Sequence, residues 1–192
     1  STNEYLDIIE GESDRLSRLI NNVLNFAKME NGIKEYSFCR TDLNVCIEAA
    51  LKVMEYQFNI ENFKTEKFLQ KEIFIFADKD SVIEVLLNLF SNSVKYCSNK
   101  KIIRVSLNTE NEFAVVTIED EGIGISEDDL KNVFRPFVRS KDSNAMHTGG
   151  AGIGLSIVKN IMDSHKGKIK VESKLGKGSK FYLYFRLEST PC

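Results

Sequence analysis

The chain lacks most of the features that would assign it quickly. Its four cysteines, Cys39, Cys46, Cys97 and Cys192, form no Cys-x-x-Cys pair, and the two histidines, His147 and His165, stand at no spacing that suggests zinc. A disulfide scaffold and a zinc module are therefore disfavoured, and Cys46 and Cys97, set in helical apolar patterns, read as reduced packing thiols. Charge of one sign is also missing. The formal net charge is −2, so no global basic field points to nucleic acid or to an acidic membrane. No uncharged apolar run is long enough to span a bilayer. No secretory signal pattern opens the chain, and there are no repeats or low-complexity tracts. A cytoplasmic fragment is expected, with an upstream membrane anchor in the full-length protein as the alternative. Because Ser1 begins in the middle of a pattern, the chain is expected to be part of something longer.

What is present is ample for a domain. The 192 residues are 42% hydrophobic, enough for one good-sized core plus an extra element. From about Thr2 to Glu30, Leu6, Ile9, Ser13, Leu16, Ile20, Val23 and Ala27 recur at alternating spacings of three and four, a heptad seam. Leu19, Leu24 and Phe26 widen the stripe, which suits a four-helix bundle better than a two-stranded coil. Docking on its own domain is the alternative. Asn31-Gly32 supplies a left-handed helix stop.

The pattern beyond predicts alternating helices and strands. Strands are expected at Tyr36–Cys39, Lys64–Leu69, Ile73–Phe76, Ile102–Leu107, Phe113–Glu119, Lys168–Ser173 and Lys180–Leu187. Helices are expected at Leu43–Phe58, capped by Thr41 or Asp42, and at Lys79–Tyr96, Glu127–Val133 and Ile153–His165. Asn108 to Asn111 reads as a turn, and residues 140–150 as a loop. The fold class is α/β: a two-layer sandwich with helices on one face of a mixed sheet, preceded by the long N-terminal helix.

Three constellations carry chemistry. On the apolar helix around residue 88, Asn88, Asn92 and Lys95 recur at i, i+4 and i+7 and so share one face, with Tyr96 one turn beyond Asn92. Amide oxygens suit Mg²⁺, and a lysine beside them can face phosphate. An ordinary solvated stripe is the alternative. Next, Asp120-Glu121-Gly122-Ile123-Gly124 closes a strand with a carboxylate and two glycines, which lets backbone approach a flat ligand. That carboxylate can accept from the exocyclic amine of adenine; guanine offers an amine as well, so this chemistry alone does not choose. Finally, Gly150-Ala151-Gly152-Ile153-Gly154-Leu155 opens a helix, whose backbone N–H groups and positive end form an anion site. No Lys-Ser or Lys-Thr follows it, and its glycine spacing and late position are not those of a dinucleotide fingerprint.

Taken in order, these residues resemble the ATP-binding domain of bacterial sensor histidine kinases, a Bergerat-type fold. Leu87 to Tyr96 is similar to the family's asparagine box, Asp120 to Gly124 to its first glycine box, and Phe134-Arg135-Pro136-Phe137 to its phenylalanine box. Gly150 to Lys159 resembles the second glycine box, and Gly176-Lys177-Gly178-Ser179 the late glycine turn, with Ser where Thr is frequent. The resemblance implies ATP and Mg²⁺ as cofactors, with Asp120 on the adenine amine, Asn92 on the metal and Asn88 beside it. Lys95 and Tyr96 would line the phosphate and ribose side, Arg139 would reach the γ-phosphate, and Gly150, Gly152 and Gly154 would wrap the phosphates. Gly122, Gly124, Ile125, Ile153, Leu155 and Ser179 complete the implied cofactor contacts, and Asn88, Lys95 and Arg139 the implied catalytic set.

Related ATPases of this fold, such as DNA gyrase and heat-shock chaperones, place a glutamate base at the position of Asn88. A neutral amide cannot take a proton at pH 7, so transfer is favoured over hydrolysis. The resemblance further implies that residues 1–34 are the second helix of a dimerisation hairpin and residues 35–192 the catalytic domain. A response regulator would be the signalling partner, and self-association would run through the N-terminal helix. The family's acceptor histidine sits on a preceding helix that has no counterpart here, so the chain is expected to bind ATP without autophosphorylating. The competing function is a nucleotide-dependent scaffold without phosphotransfer. His165-Lys166-Gly167 stands where the family often carries His-Gly-Gly and reads as structural.

Overall fold

The computed structural model describes residues 32–97, 100–138 and 152–188, together with Ser13, Ile20, Val23, Leu24, Ala27 and Lys28, which are helical and exposed. The expected loop 140–150, with Met146, His147 and Gly150, and the neighbouring Arg139 lie outside these residues. The N-terminal helix stops as its sequence predicts: Gly32 takes φ +64°, and the Ile33 N–H donates to the Lys28 carbonyl at 2.9 Å, the backbone closure a left-handed glycine permits.

Strand β1 (Phe38–Asp42) leads into α1 (Leu43–Ile60), then β2 (Lys64–Leu69), β3 (Phe74–Asp78) and α2 (Lys79–Tyr96). Strands β4 (Lys100–Glu110) and β5 (Phe113–Glu121) follow, then the single turn α3 (Glu127–Leu130), helix α4 (Gly154–Ser164), β6 (Lys168–Ser173) and β7 (Ser179–Arg186). The five-stranded sheet runs β2-β4-β5-β7-β6. It is mixed, since β2 and β4 are parallel while the other pairs are antiparallel.

The local reasons are visible in the caps and stripes. The Asp42 side chain, not Thr41, accepts from the Asn44 N–H and starts α1; Thr41 Oγ1 is turned inward onto the Ala77 carbonyl. Asp78 caps α2 by accepting from the Ser81 N–H at 2.7 Å. Along α2, Val82, Val85, Leu86, Leu89, Phe90 and Ser93 are buried, the spacing of one helical face. They meet alternate residues of the sheet: Ile103, Val105 and Leu107 of β4, Val116 and Ile118 of β5, and Phe181, Leu183 and Phe185 of β7. Each fully buried side chain of this size contributes roughly 1.5–3 kcal/mol. Helix α2 packs between α1 and α4, so the amide-bearing helix sits at the centre of its layer. Cys46 and Cys97 are buried free thiols, and burial pushes the Cys46 thiol up to about 11.

Several expected boundaries shift. The first strand is Phe38–Asp42, because pairing with β3 sets its register. It does not join the large sheet; β1 and β3 form a separate antiparallel ribbon. The turn expected over Asn108 to Asn111 shrinks to Asn111 and Glu112, with Asn111 at φ +53° and β4 continuing through Glu110. The helix expected to reach Val133 ends at Leu130. Helix α4 starts at Gly154, one residue late, and ends at Ser164, one residue early.

Candidate nucleotide site

Asp120 lies near the end of β5 and is only 7% exposed. Its Oδ1 accepts from the Gly122 N–H at 2.9 Å and the Ser179 N–H at 3.3 Å, and its Oδ2 from the Ser93 hydroxyl at 3.3 Å. A carboxylate offers about four lone-pair sites. Among the described residues three are taken, which leaves one, on Oδ2, for a ligand N–H. Burial pushes the Asp120 carboxyl above its ordinary range, while the Gly122, Ser179 and Ser93 donors pull the other way.

The turn after β5 is pressed onto the end of α2. Ile123 N–H donates to the Tyr96 carbonyl at 2.9 Å, which satisfies a C-terminal acceptor of the helix. A Cβ on Gly122 would sit 2.5 Å from that same carbonyl oxygen, so no other residue fits without moving backbone. Gly124 abuts the Lys174 backbone, and the Ile125 N–H donates to Ser173 Oγ at 2.8 Å.

At the other end of the amide face, Asn88 Nδ2 donates to the Glu84 carbonyl at 2.9 Å. That bond turns Oδ1 toward α4: a Cβ on Gly154 would lie 3.0 Å from it. Helix α4 begins without a side-chain cap among the described residues, and its first N–H groups suit an anion. Asn88 and Tyr96 are about 12 Å apart along α2 at the usual rise, and Asn92 lies midway, half-buried. One helix face thus runs from the start of α4 to the turn beside Asp120. Lys95 Nζ sits 4.9 Å from the Tyr96 ring centroid.

The remaining expected contacts divide. Gly152 takes φ +69° and its carbonyl accepts from the Phe137 N–H, tying the phenylalanine segment to the second glycine turn. Ile125 and Leu155 pack against the core, half-buried. The Ile153 side chain is wholly in the core, so only its backbone could face a ligand. Ser179 acts from behind, through its N–H to Asp120 and its hydroxyl to Ser173 at 3.0 Å. Ser93 and Ser173 were missed as site residues. Ser93 had a readable signal, since a serine among the buried positions of an apolar helix needs a polar partner.

The donor set fits a nucleotide and, through amide oxygens alone, a hard divalent ion. Among the described residues no cluster of three or more His, Cys, Asp or Glu could hold a metal, so any ion here would rely on Asn88, Asn92 and oxygens of the ligand itself.

Comparison with known proteins agrees with this geometry. Residues 77–189 match the family described as histidine kinase-, DNA gyrase B-, and HSP90-like ATPase. Drug sensory protein A of Synechocystis sp. is 35% identical over 94% of this chain and 28% of its own length. Sensor histidine kinase WalK of Bacillus subtilis is 29% identical over 91% of this chain and 29% of its own. The chain therefore spans less than a third of either relative. Among solved structures, Acinetobacter baumannii histidine kinase AdeS superposes with a TM-score of 0.78 at 22% identity, covering 96% of this chain and 84% of that one. Full-length ShkA in complex with AMPPNP gives 0.82 at 22% identity, covering 99% and 40%. With a buried strand-end carboxylate, an amide-bearing central helix and two glycine turns in one sequence order and one fold, the chain belongs to the histidine kinase-, DNA gyrase B- and HSP90-like ATPase family and carries the catalytic domain of a sensor histidine kinase.

Proposed function

We propose that this domain binds ATP with Mg²⁺ across the face of α2 and directs the γ-phosphate to a histidine carried elsewhere in the kinase, for onward signalling to a response regulator. Residues 1–34 serve as the second helix of a dimerisation hairpin and residues 35–192 as the catalytic domain. The carrying observation is the buried Asp120, whose single spare lone-pair site lies on the oxygen held by Ser93. It orients the base by its exocyclic amine. The first N–H groups of α4 receive phosphate oxygens. Asn92 and Asn88 supply amide oxygens to the metal, which when bound neutralises phosphate charge. Lys95 and Arg139 complete the charge around the phosphates.

Asn88 supports transfer over hydrolysis, and His165 supports an acceptor carried elsewhere. Asn88 is neutral and cannot serve as the base that activates water. His165, the one histidine among the described residues, has both ring nitrogens engaged by backbone groups, so it is no acceptor.

Calorimetry with ATP, ADP and GTP tests the reading. ATP and ADP should bind, GTP far more weakly, with Mg²⁺ strengthening ATP. Asn92→Ala should abolish most of the magnesium dependence; full retention would place the metal elsewhere. Incubating the loaded domain with a helical hairpin that bears an acceptor histidine should yield acid-labile, base-stable phosphate on that hairpin. Binding without transfer would instead make the domain a nucleotide-dependent scaffold.

A further inference from the structure

We infer that His165 is a neutral clasp that fastens residues 34–38, the segment joining the N-terminal helix to the domain, onto the far end of α4, and that a proton on His165 opens it. The ring is buried at the α4 C-terminus, 8% exposed. Its Nε2 accepts from the Asp78 N–H at 3.1 Å, and its Nδ1–H donates to the Ile161 carbonyl at 2.8 Å. Only the neutral Nδ1–H tautomer satisfies both bonds. An imidazolium would set Nε2–H against a backbone N–H, donor against donor.

The segment closes over this ring. Tyr36 meets His165 edge-on, centroids 5.4 Å apart at 85°, and Phe38 lies 4.8 Å from it. The Ser37 N–H donates to Asp78 Oδ2 at 2.7 Å, on the carboxylate whose other oxygen caps α2. Lys34 pairs with Glu84 at 2.8 Å and sits 5.3 Å from the Tyr36 ring centroid. The ring, the segment and the start of α2 are therefore one interlocked unit. Charge bears on the ring from each side: Asp78 at the β3–α2 junction favours the proton, and Lys34 on the segment, with Glu84 behind it, opposes it. Burial outweighs both and holds His165 below its ordinary value. A second positive charge beside Lys34, with the Asp78 N–H bond lost, works against the segment remaining closed.

Two-dimensional NMR of the whole chain from pH 8 to 5 reads this directly. The Ser37 amide and Tyr36 ring signals should move together with the His165 imidazole, at a shared midpoint below 6.5. In His165→Phe that shared transition should vanish while the rings still pack. If His165→Phe does not fold, Tyr36→Ala alters the segment alone, and uncovering the ring should raise the His165 midpoint. A His165 that titrates while Ser37 and Tyr36 stay flat overturns the clasp. So does a Ser37 transition that persists in His165→Phe, or a His165 midpoint unmoved by Tyr36→Ala.

Discussion

If Asp120 holds the base as proposed, it carries opposite demands in the free and loaded domain, and one substitution separates them. Its carboxyl is raised by burial. A raised carboxyl contributes stability that is fully present below the unfolded value of about 3.9 and is lost as pH rises through the folded value. At neutral pH the ionised side chain therefore costs the empty fold. Asp120→Asn keeps an oxygen for the Gly122 and Ser179 N–H groups and offers an amide donor to Ser93. The empty variant should melt at the same temperature or higher by calorimetry at pH 7. Its ATP affinity should fall by roughly 1.5–3 kcal/mol, about 10- to 150-fold, because a charged acceptor is lost. Unchanged affinity would remove Asp120 from the site. Ser93→Ala removes one hydroxyl bond to the same carboxylate, and ATP affinity should fall with it by titration, since a bond to a charged group is worth about 1.5–3 kcal/mol at most here. Asp120 was legible because a strand-end acid followed by two glycines leaves few structural uses. Ser93's need for a polar partner was readable, but its identity as Asp120 was not, because the partner lies on a different element and only the packed fold brings β5 beneath α2.

At the level of elements, the helices read well because their signals are local. Asp78 precedes α2 and Asp42 precedes α1, and each cap lies within three residues of the N–H it satisfies. The strands read less well at their ends. Tyr36 alternates correctly for a strand, yet it turns onto His165, and β1 begins only where β3 can pair with it. The close approach of α4 to α2 gives a further test. Gly154→Ala gains helix propensity of up to about 1 kcal/mol, but its methyl would meet Asn88 Oδ1 at 3.0 Å. The variant should stay folded by circular dichroism and bind ATP several-fold more weakly, and Asn88→Ala in the same chain should relieve the crowding without restoring affinity. The His165 clasp adds a pH dependence to stability. A histidine held below its ordinary value contributes stability present above about pH 6.5 and lost as pH falls through the folded value. Denaturant midpoints should drop across that window in the parent chain and stay level in His165→Phe.

For the whole molecule, the two-layer architecture was legible from alternating periodicities, whereas the ribbon formed by β1 and β3 was not. Nothing in the local sequence of β1 excludes it from the main sheet; its antiparallel pairing with β3 and the Ile75–Leu187 bridge decide its place. The parallel β2–β4 edge is likewise set by long-range pairing. The N-terminal helix exposes Ile20 and Val23 of the expected bundle seam at 59% and 44%, and Leu24, which widens the stripe, at 52%. Such a stripe seeks a partner. Sedimentation should show concentration-dependent association that Val23→Glu with Leu24→Lys abolishes; a monomer at high concentration in the parent chain would refute the seam.

Helix α4 is 11 residues long, a rod of about 16 Å with phosphate ligands proposed at one tip and a titrating imidazole at the other. If a rotation at one tip reaches the other, the two sites share a coupling free energy. Linkage then demands symmetry: whatever factor acidification takes from ATP affinity, saturating ATP must impose on the protonation of His165. A proton taken up at one end of α4 would then be felt as weaker nucleotide binding at the other.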